Sequence, residues 1–160
     1  MWSKTRKAMY ERLAPALKDR VEYDFKYIRP RQRTEPPANP KCHCEFCSFH
    51  RYFAIKVDKE QIMISNNQIY YERNFPITME KKEARGLFEI ADVAEAMHQY
   101  LNVNSIEECL SKENYLLYLF AILDRRVGKR RIRVIYEQME QEPEWIRRFI
   151  KLRAEAEKII

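Results

Sequence analysis

The sequence predicts an α+β domain: an N-terminal helix, a small antiparallel β-meander, then a C-terminal helical array that packs on the sheet. Three observations carry this. Val21, Tyr23, Phe25 and Tyr27 alternate with Glu22, Asp24 and Lys26, the period of a half-buried strand. From residue 78 onward apolar residues recur at helical spacing instead. Only 2 glycines are present, against 10 tyrosines and 8 phenylalanines, which disfavours tight all-β folds and glycine-rich phosphate loops while favouring some sheet. A chain of 160 residues is long enough to bury a core, so one domain over 1–160 is expected.

In chain order, Ser3 is a plausible N-cap for a helix over 3–17, with Met9, Leu13, Ala16 and Leu17 on one stripe and Trp2 as a staple. The first strand follows. Residues 29–50 then form a Pro-rich, Cys/His-bearing loop inserted between strands, since Pro30, Pro36, Pro37 and Pro40 interrupt any regular element. Phe53, Ile55 and Val57 mark a second strand, residues 58–60 a turn, 61–65 a third strand, and 69–72 a short further one. A helix over 78–85 should stop at Gly86. The next, about 91–101, buries Val93, Ala94, Met97 and Tyr100 or Leu101. Ser105 and Glu108 fit a capping box, and Asn114 caps the apolar run 115–123. Gly128 closes that helix or the turn after it. Ile132, Ile135, Tyr136 and Met139 share one further helix face, and Pro143 opens the last helix, striped by Trp145, Phe149, Leu152 and Ala156. Residues 114–154 hold the densest aliphatic and the densest basic runs, so they should supply the centre of the core.

Charge and hydropathy narrow the function classes. No apolar stretch follows the charged residues 1–7, so no secretory signal is expected. The longest apolar run, 115–123, is too short to span a bilayer. A cytoplasmic protein follows by default, with thiols reduced or metal-bound. The formal charge of +6 is compatible with an acidic or nucleic-acid partner, although 24 acidic residues offset most of the 30 basic ones.

Trp2-Ser3-Lys4, Leu13, Pro15 and Leu17, followed by Arg20-Val21-Glu22-Tyr23, resemble the opening of a family of small uncharacterised bacterial proteins. Leu123-Asp124-Arg125-Arg126-Val127-Gly128-Lys129-Arg130-Arg131, Glu142-Pro143-Glu144-Trp145 and Leu152-Arg153-Ala154-Glu155 resemble its close. The resemblance implies a shared α+β fold and brings no assigned activity or catalytic residue. It does not extend to the cysteine-bearing connection.

Two segments carry candidate chemistry. Cys42, Cys44, Cys47 and His50 offer four ligands for a structural Zn²⁺, although Cys-x-Cys-x-x-Cys-x-x-His is not a common finger spacing. The competing account is a loop with incidental thiols. A thiol or redox enzyme using Cys44 and Cys47 is a third-ranked alternative, because no orienting residue or helix start accompanies the pair. The other segment is basic: Arg125, Arg126, Lys129, Arg130, Arg131 and Arg133 form a candidate nucleic-acid-binding face. A structural use competes with it, since cations suit a helix C-terminus and Arg130, Arg131 and Arg133 can pair with Glu137, Glu140 and Glu144. A helix-turn-helix fits poorly, as its small residue would fall on Asp124. His98 stands alone, and Asp92, Glu95, Glu107 and Glu108 sit near helix starts where acids suit the dipole. The expectation is a non-catalytic binding or interaction module, with nucleic-acid binding as the alternative.

Overall fold

A computed structural model describes residues 2–27, 51–65 and 83–160. The Pro-rich loop, the strand expected over 69–72 and most of the helix expected over 78–85 lie outside these residues. Within them the expected order holds: a helix, three strands of an antiparallel meander, then helices packed on the sheet.

Helix α1 (Trp2–Arg12) is shorter than its periodicity suggests. Proline disfavours helical backbone in the residue before it, and Ala14 accordingly turns extended (φ −56°, ψ 138°) ahead of Pro15. The chain resumes as a 3₁₀ turn at Pro15–Leu17. Met9, Leu13 and Leu17 are buried as the stripe requires, whereas Ala16 is exposed. The interruption frees Leu13 for a two-residue bridge with Asp124: Ala14 N donates to Leu123 O at 2.9 Å and Arg125 N to Arg12 O at 2.8 Å.

Strands β1 (Val21–Tyr27), β2 (Arg51–Val57) and β3 (Glu60–Ser65) lie in that spatial order. Tyr23 pairs with Ile55 and Phe25 with Phe53, and Ile62 is an extra residue in the β2–β3 ladder. The face carrying Val21, Tyr23, Phe53, Ile55 and Met63 is buried against the helices. On the other face Ala54 is also buried, and buried Asp24 pairs with Lys56 Nζ at 2.9 Å. The β2–β3 turn is Asp58-Lys59, with φ of 51° and 73°. Both residues thus occupy the left-handed region that mirror-image hairpin turns demand and that Asn-Gly usually fills.

The remaining helices are α2 (Ile90–Asn102), α3 (Ile106–Cys109), α4 (Tyr115–Leu123), α5 (Lys129–Glu137) and α6 (Glu144–Ala156). A helix apolar all round must be buried all round. Every residue of α4 from Leu116 to Leu123 is buried, and α2, α3 and α6 surround it. Asn114 Oδ1 accepts from Leu116 N and Leu117 N, and Ser105 and Glu108 close their reciprocal box, as the sequence predicts. On α2, Ile90, Val93, Ala96, Met97 and Tyr100 are buried while Ala94 is exposed, a shift of part of the expected stripe by two positions. Met139 lies in a separate 3₁₀ turn, Met139–Gln141, rather than on α5.

Gly86 ends a short helical turn at 83–85 with φ 67°. A Cβ there would stand 2.6 Å from Trp145 Cγ, so the position requires glycine on two independent counts. The Trp145 indole donates to Glu83 O at 2.6 Å, holding this turn against α6. No helix among the described residues is long and apolar enough to cross a membrane.

Candidate functional site

The basic motif after α4 is built around a buried carboxylate. Asp124 is fully buried and ends α4. Its Oδ1 accepts from Arg126 N at 2.7 Å; its Oδ2 accepts from Arg126 Nη2 at 2.7 Å and from the Tyr100 hydroxyl at 2.5 Å. The Arg126 guanidinium grips both oxygens through Nε as well. Arg12 stacks its Cζ 4.9 Å from the Tyr100 ring centre and donates to Tyr100 O and Leu101 O, capping the end of α2. Burial, foremost, pushes the Tyr100 hydroxyl far above its ordinary range, with Tyr23 and Asp124 adding to it. Hydrogen bonding to Asp124 raises Arg126.

Beneath this cluster lies Arg153, 2% exposed, which the sequence reading missed. It donates to Ile122 O (3.4 Å), Asp124 O (3.2 Å) and Val127 O (2.8 Å), and pairs with Glu157 Oε1 at 3.1 Å. Burial lowers its pKa, partly countered by Glu157 and Asp124. One arginine from α6 thereby fastens the turn that follows α4. Its position four residues after Phe149, on the apolar face, was the available signal. Glu142 is a further buried acid; it pairs with Lys112, whose ammonium lies over the Tyr118 ring. These groups have their charges and hydrogen bonds directed inward, which suits them to holding the fold.

The basic residues of 125–133 divide accordingly. Arg126 is committed to Asp124, Arg131 Nη1 bonds Glu107 at 2.8 Å, and Lys129 lies 3.6 Å from Glu157. Glu140 is taken by Arg147 at 3.0 Å. The expected pairing of Arg130, Arg131 and Arg133 with Glu137, Glu140 and Glu144 is therefore corrected: Arg131 reaches back to Glu107 on α3, and Glu140 pairs with Arg147. Arg125, Arg130 and Arg133 are exposed. The exposed His98 lies 3.3 Å from the Asn102 side chain through Nδ1.

The candidate zinc ligands Cys42, Cys44, Cys47 and His50 lie outside the described residues, as does the Cys44/Cys47 pair of the redox alternative. Cys109 is buried, and burial pushes its thiol up, away from the reactive thiolate. Among the described residues no three His, Cys, Asp or Glu side chains gather as a metal site.

Among the described residues an open groove of about 890 Å³ lies between α1, the 18–20 turn and the β2–β3 turn. Ser3, Arg6, Lys7 and Tyr10 line one wall from a single face of α1, three and four residues apart. That spacing was visible in the sequence, on the flank of α1 next to its apolar stripe. The opposite wall is braced: Arg20 Nη2 bonds Asp58 Oδ2 at 2.7 Å, and Asp58 N donates to Arg20 O at 2.8 Å. The Arg20 guanidinium, by hydrogen bonding, holds the Asp58 carboxyl below its ordinary range. Lys18 Nζ lies 5.5 Å from the centre of the Tyr10 ring, which is 42% exposed.

The chain belongs to the SF0329 protein family, whose model matches residues 1–154. No curated protein and no solved structure matches it.

Proposed function

We propose that this member of the SF0329 protein family is a non-catalytic binding module of the bacterial cytoplasm. The observation that carries this reading is the groove beside α1: charged, concave, and walled by side chains standing on a helix and a braced hairpin turn. Ligand sites are typically such preformed concavities with a few convergent polar groups. The buried ionisable groups Asp124, Arg153 and Glu142 have internal partners, so their placement supports a structural use.

A structural Zn²⁺ held by Cys42, Cys44, Cys47 and His50 completes the proposal; four such ligands would leave no open coordination position for chemistry. Metal analysis of the purified protein tests it. Stoichiometric zinc that falls on Cys44→Ser is expected, and metal-free wild type would end the zinc reading.

A thermal-shift panel of anionic, cationic and neutral small molecules, each recovered and checked for chemical change, tests the module. Stabilisation without turnover is expected; turnover of a stabilising compound would replace the module with an enzyme.

A second reading, nucleic-acid binding, draws on exposed Arg125, Arg130 and Arg133. Since Arg126, Arg131 and Lys129 already have acidic partners, the face has fewer uncommitted cations than the sequence suggests. Binding to duplex DNA that weakens steeply between low and physiological salt would support it. No binding at low salt would remove it.

A further inference from the structure

We propose that the groove beside α1 binds a phosphate monoester carrying an organic body, the chemistry of a nucleoside monophosphate. The inference rests on the module reading and adds the ligand class. Charge is the first argument. Arg20 and Asp58 cancel in a closed pair, leaving Arg6, Lys7, Lys18 and Lys59 on the groove against Asp19 and Glu22. Lys7 also lies 3.9 Å from Glu11 on its own helix, an exposed pair of little strength. The lining therefore has a surplus of two positive charges. A phosphate monoester at neutral pH carries about −1.5 to −2.

Size and shape are the second argument. A lone phosphate would leave most of about 890 Å³ empty, whereas that volume lies within the range of organic ligand sites. The half-exposed Tyr10 ring offers an apolar surface for the remainder of the ligand, and Ser3 offers a hydroxyl beside Arg6. The cations come from three separate pieces of chain, α1, the 18–20 turn and the hairpin turn. A compact anion can be enclosed from several sides by such an arrangement.

Placement is the third. Lys59 occupies the hairpin turn at φ 73°, where glycine would be less strained. The Arg20–Asp58 pair ties the turn to residues 18–20, which sets the backbone of Lys59 on the groove wall.

Calorimetric titration of the full-length protein with adenosine monophosphate, inorganic phosphate and adenosine tests this. Adenosine monophosphate should bind more tightly than either fragment. Arg6→Glu and Lys59→Glu, at exposed positions, should each weaken it by about tenfold or more. Arg133→Glu, on the distant basic segment, should leave binding unchanged. Absent binding of adenosine monophosphate, or binding that Arg6→Glu and Lys59→Glu both leave intact, overturns the proposal. Equal binding of adenosine overturns it too, since phosphate would then contribute nothing. If another member of the thermal-shift panel binds while adenosine monophosphate does not, the ligand class fails and the module stands. If the monophosphate binds and is hydrolysed, the site stands and the module reading fails.

Discussion

Replacing Arg153 with methionine should destabilise the fold more than any change to an exposed arginine. Methionine retains most of the aliphatic stem and removes the guanidinium. Ile122, Asp124 and Val127 carbonyls then lose the donors that reach them at 3.4, 3.2 and 2.8 Å. A buried acceptor left without a partner costs about 1–3 kcal/mol. Asp124 O keeps Val127 N at 3.2 Å, so two carbonyls, Ile122 O and Val127 O, are orphaned; together they reach about 2 kcal/mol even at the low end, before counting Glu157, which among the described residues keeps Lys129 at 3.6 Å. Relief of arginine desolvation offsets part of this. Breaking a buried ion pair from one side nonetheless costs about 3–5 kcal/mol in measured cases, and that is the expected range. Against a typical stability of about 5–15 kcal/mol, the loss is large. Urea unfolding followed by far-ultraviolet circular dichroism would read it as a lower midpoint at unchanged slope. Arg153→Lys should fall between, because one ammonium cannot span three carbonyls that a planar fork reaches. A loss below about 0.5 kcal/mol for Arg153→Met, the range of ordinary surface changes, would refute the claim that Arg153 fastens this turn.

The two glycines should respond differently to alanine. Gly86→Ala places a Cβ 2.6 Å from Trp145 Cγ at φ 67° and should cost about 1–3 kcal/mol by overpacking alone, whereas Gly128→Ala meets nothing within 4 Å and, with the entropy gain offset by the poorer N-cap of α5, should change stability by no more than about 0.5 kcal/mol. The same urea titrations compare them. Asn114→Ala removes the acceptor for Leu116 N and Leu117 N and should cost about 1 kcal/mol, seen as a lower unfolding midpoint. Tyr23 and Tyr100 are raised, chiefly by burial, well above the ordinary 10.0. Their contribution is complete below that value and is lost as pH rises from it toward the folded-state pKa, so alkaline unfolding should precede their ionisation; absorbance near 295 nm in Tyr100→Phe and wild type checks this. For Asp58 the sign reverses: its lowered pKa gives a contribution present above the ordinary 3.8 and lost as pH falls through the folded value. The acid limb of stability should flatten in Asp58→Asn, and an unchanged limb would count against the Arg20–Asp58 brace.

Local signals in the chain were enough to specify the α+β order, the core strands and the caps at Ser105 and Asn114, whereas Ser3, expected as an N-cap, lies inside α1. Alternation at 21–27 and 53–57 follows from one buried sheet face, and Ser105 and Asn114 act through atoms only a few residues away. The centrality of α4 was equally legible, because a helix apolar on every side can only be surrounded. Pairings between distant residues were not. Arg153 reaches carbonyls 26–31 positions earlier, Arg131 turns to Glu107, and Tyr100 meets Asp124, each fixed by how helices cross rather than by spacing along one of them. The groove combines both kinds of information. Its α1 wall is written in the spacing of Ser3, Arg6, Lys7 and Tyr10. Its other wall exists because the chain folds Arg20 against Asp58, 38 residues away, and a concavity has no sequence signature until both walls stand together.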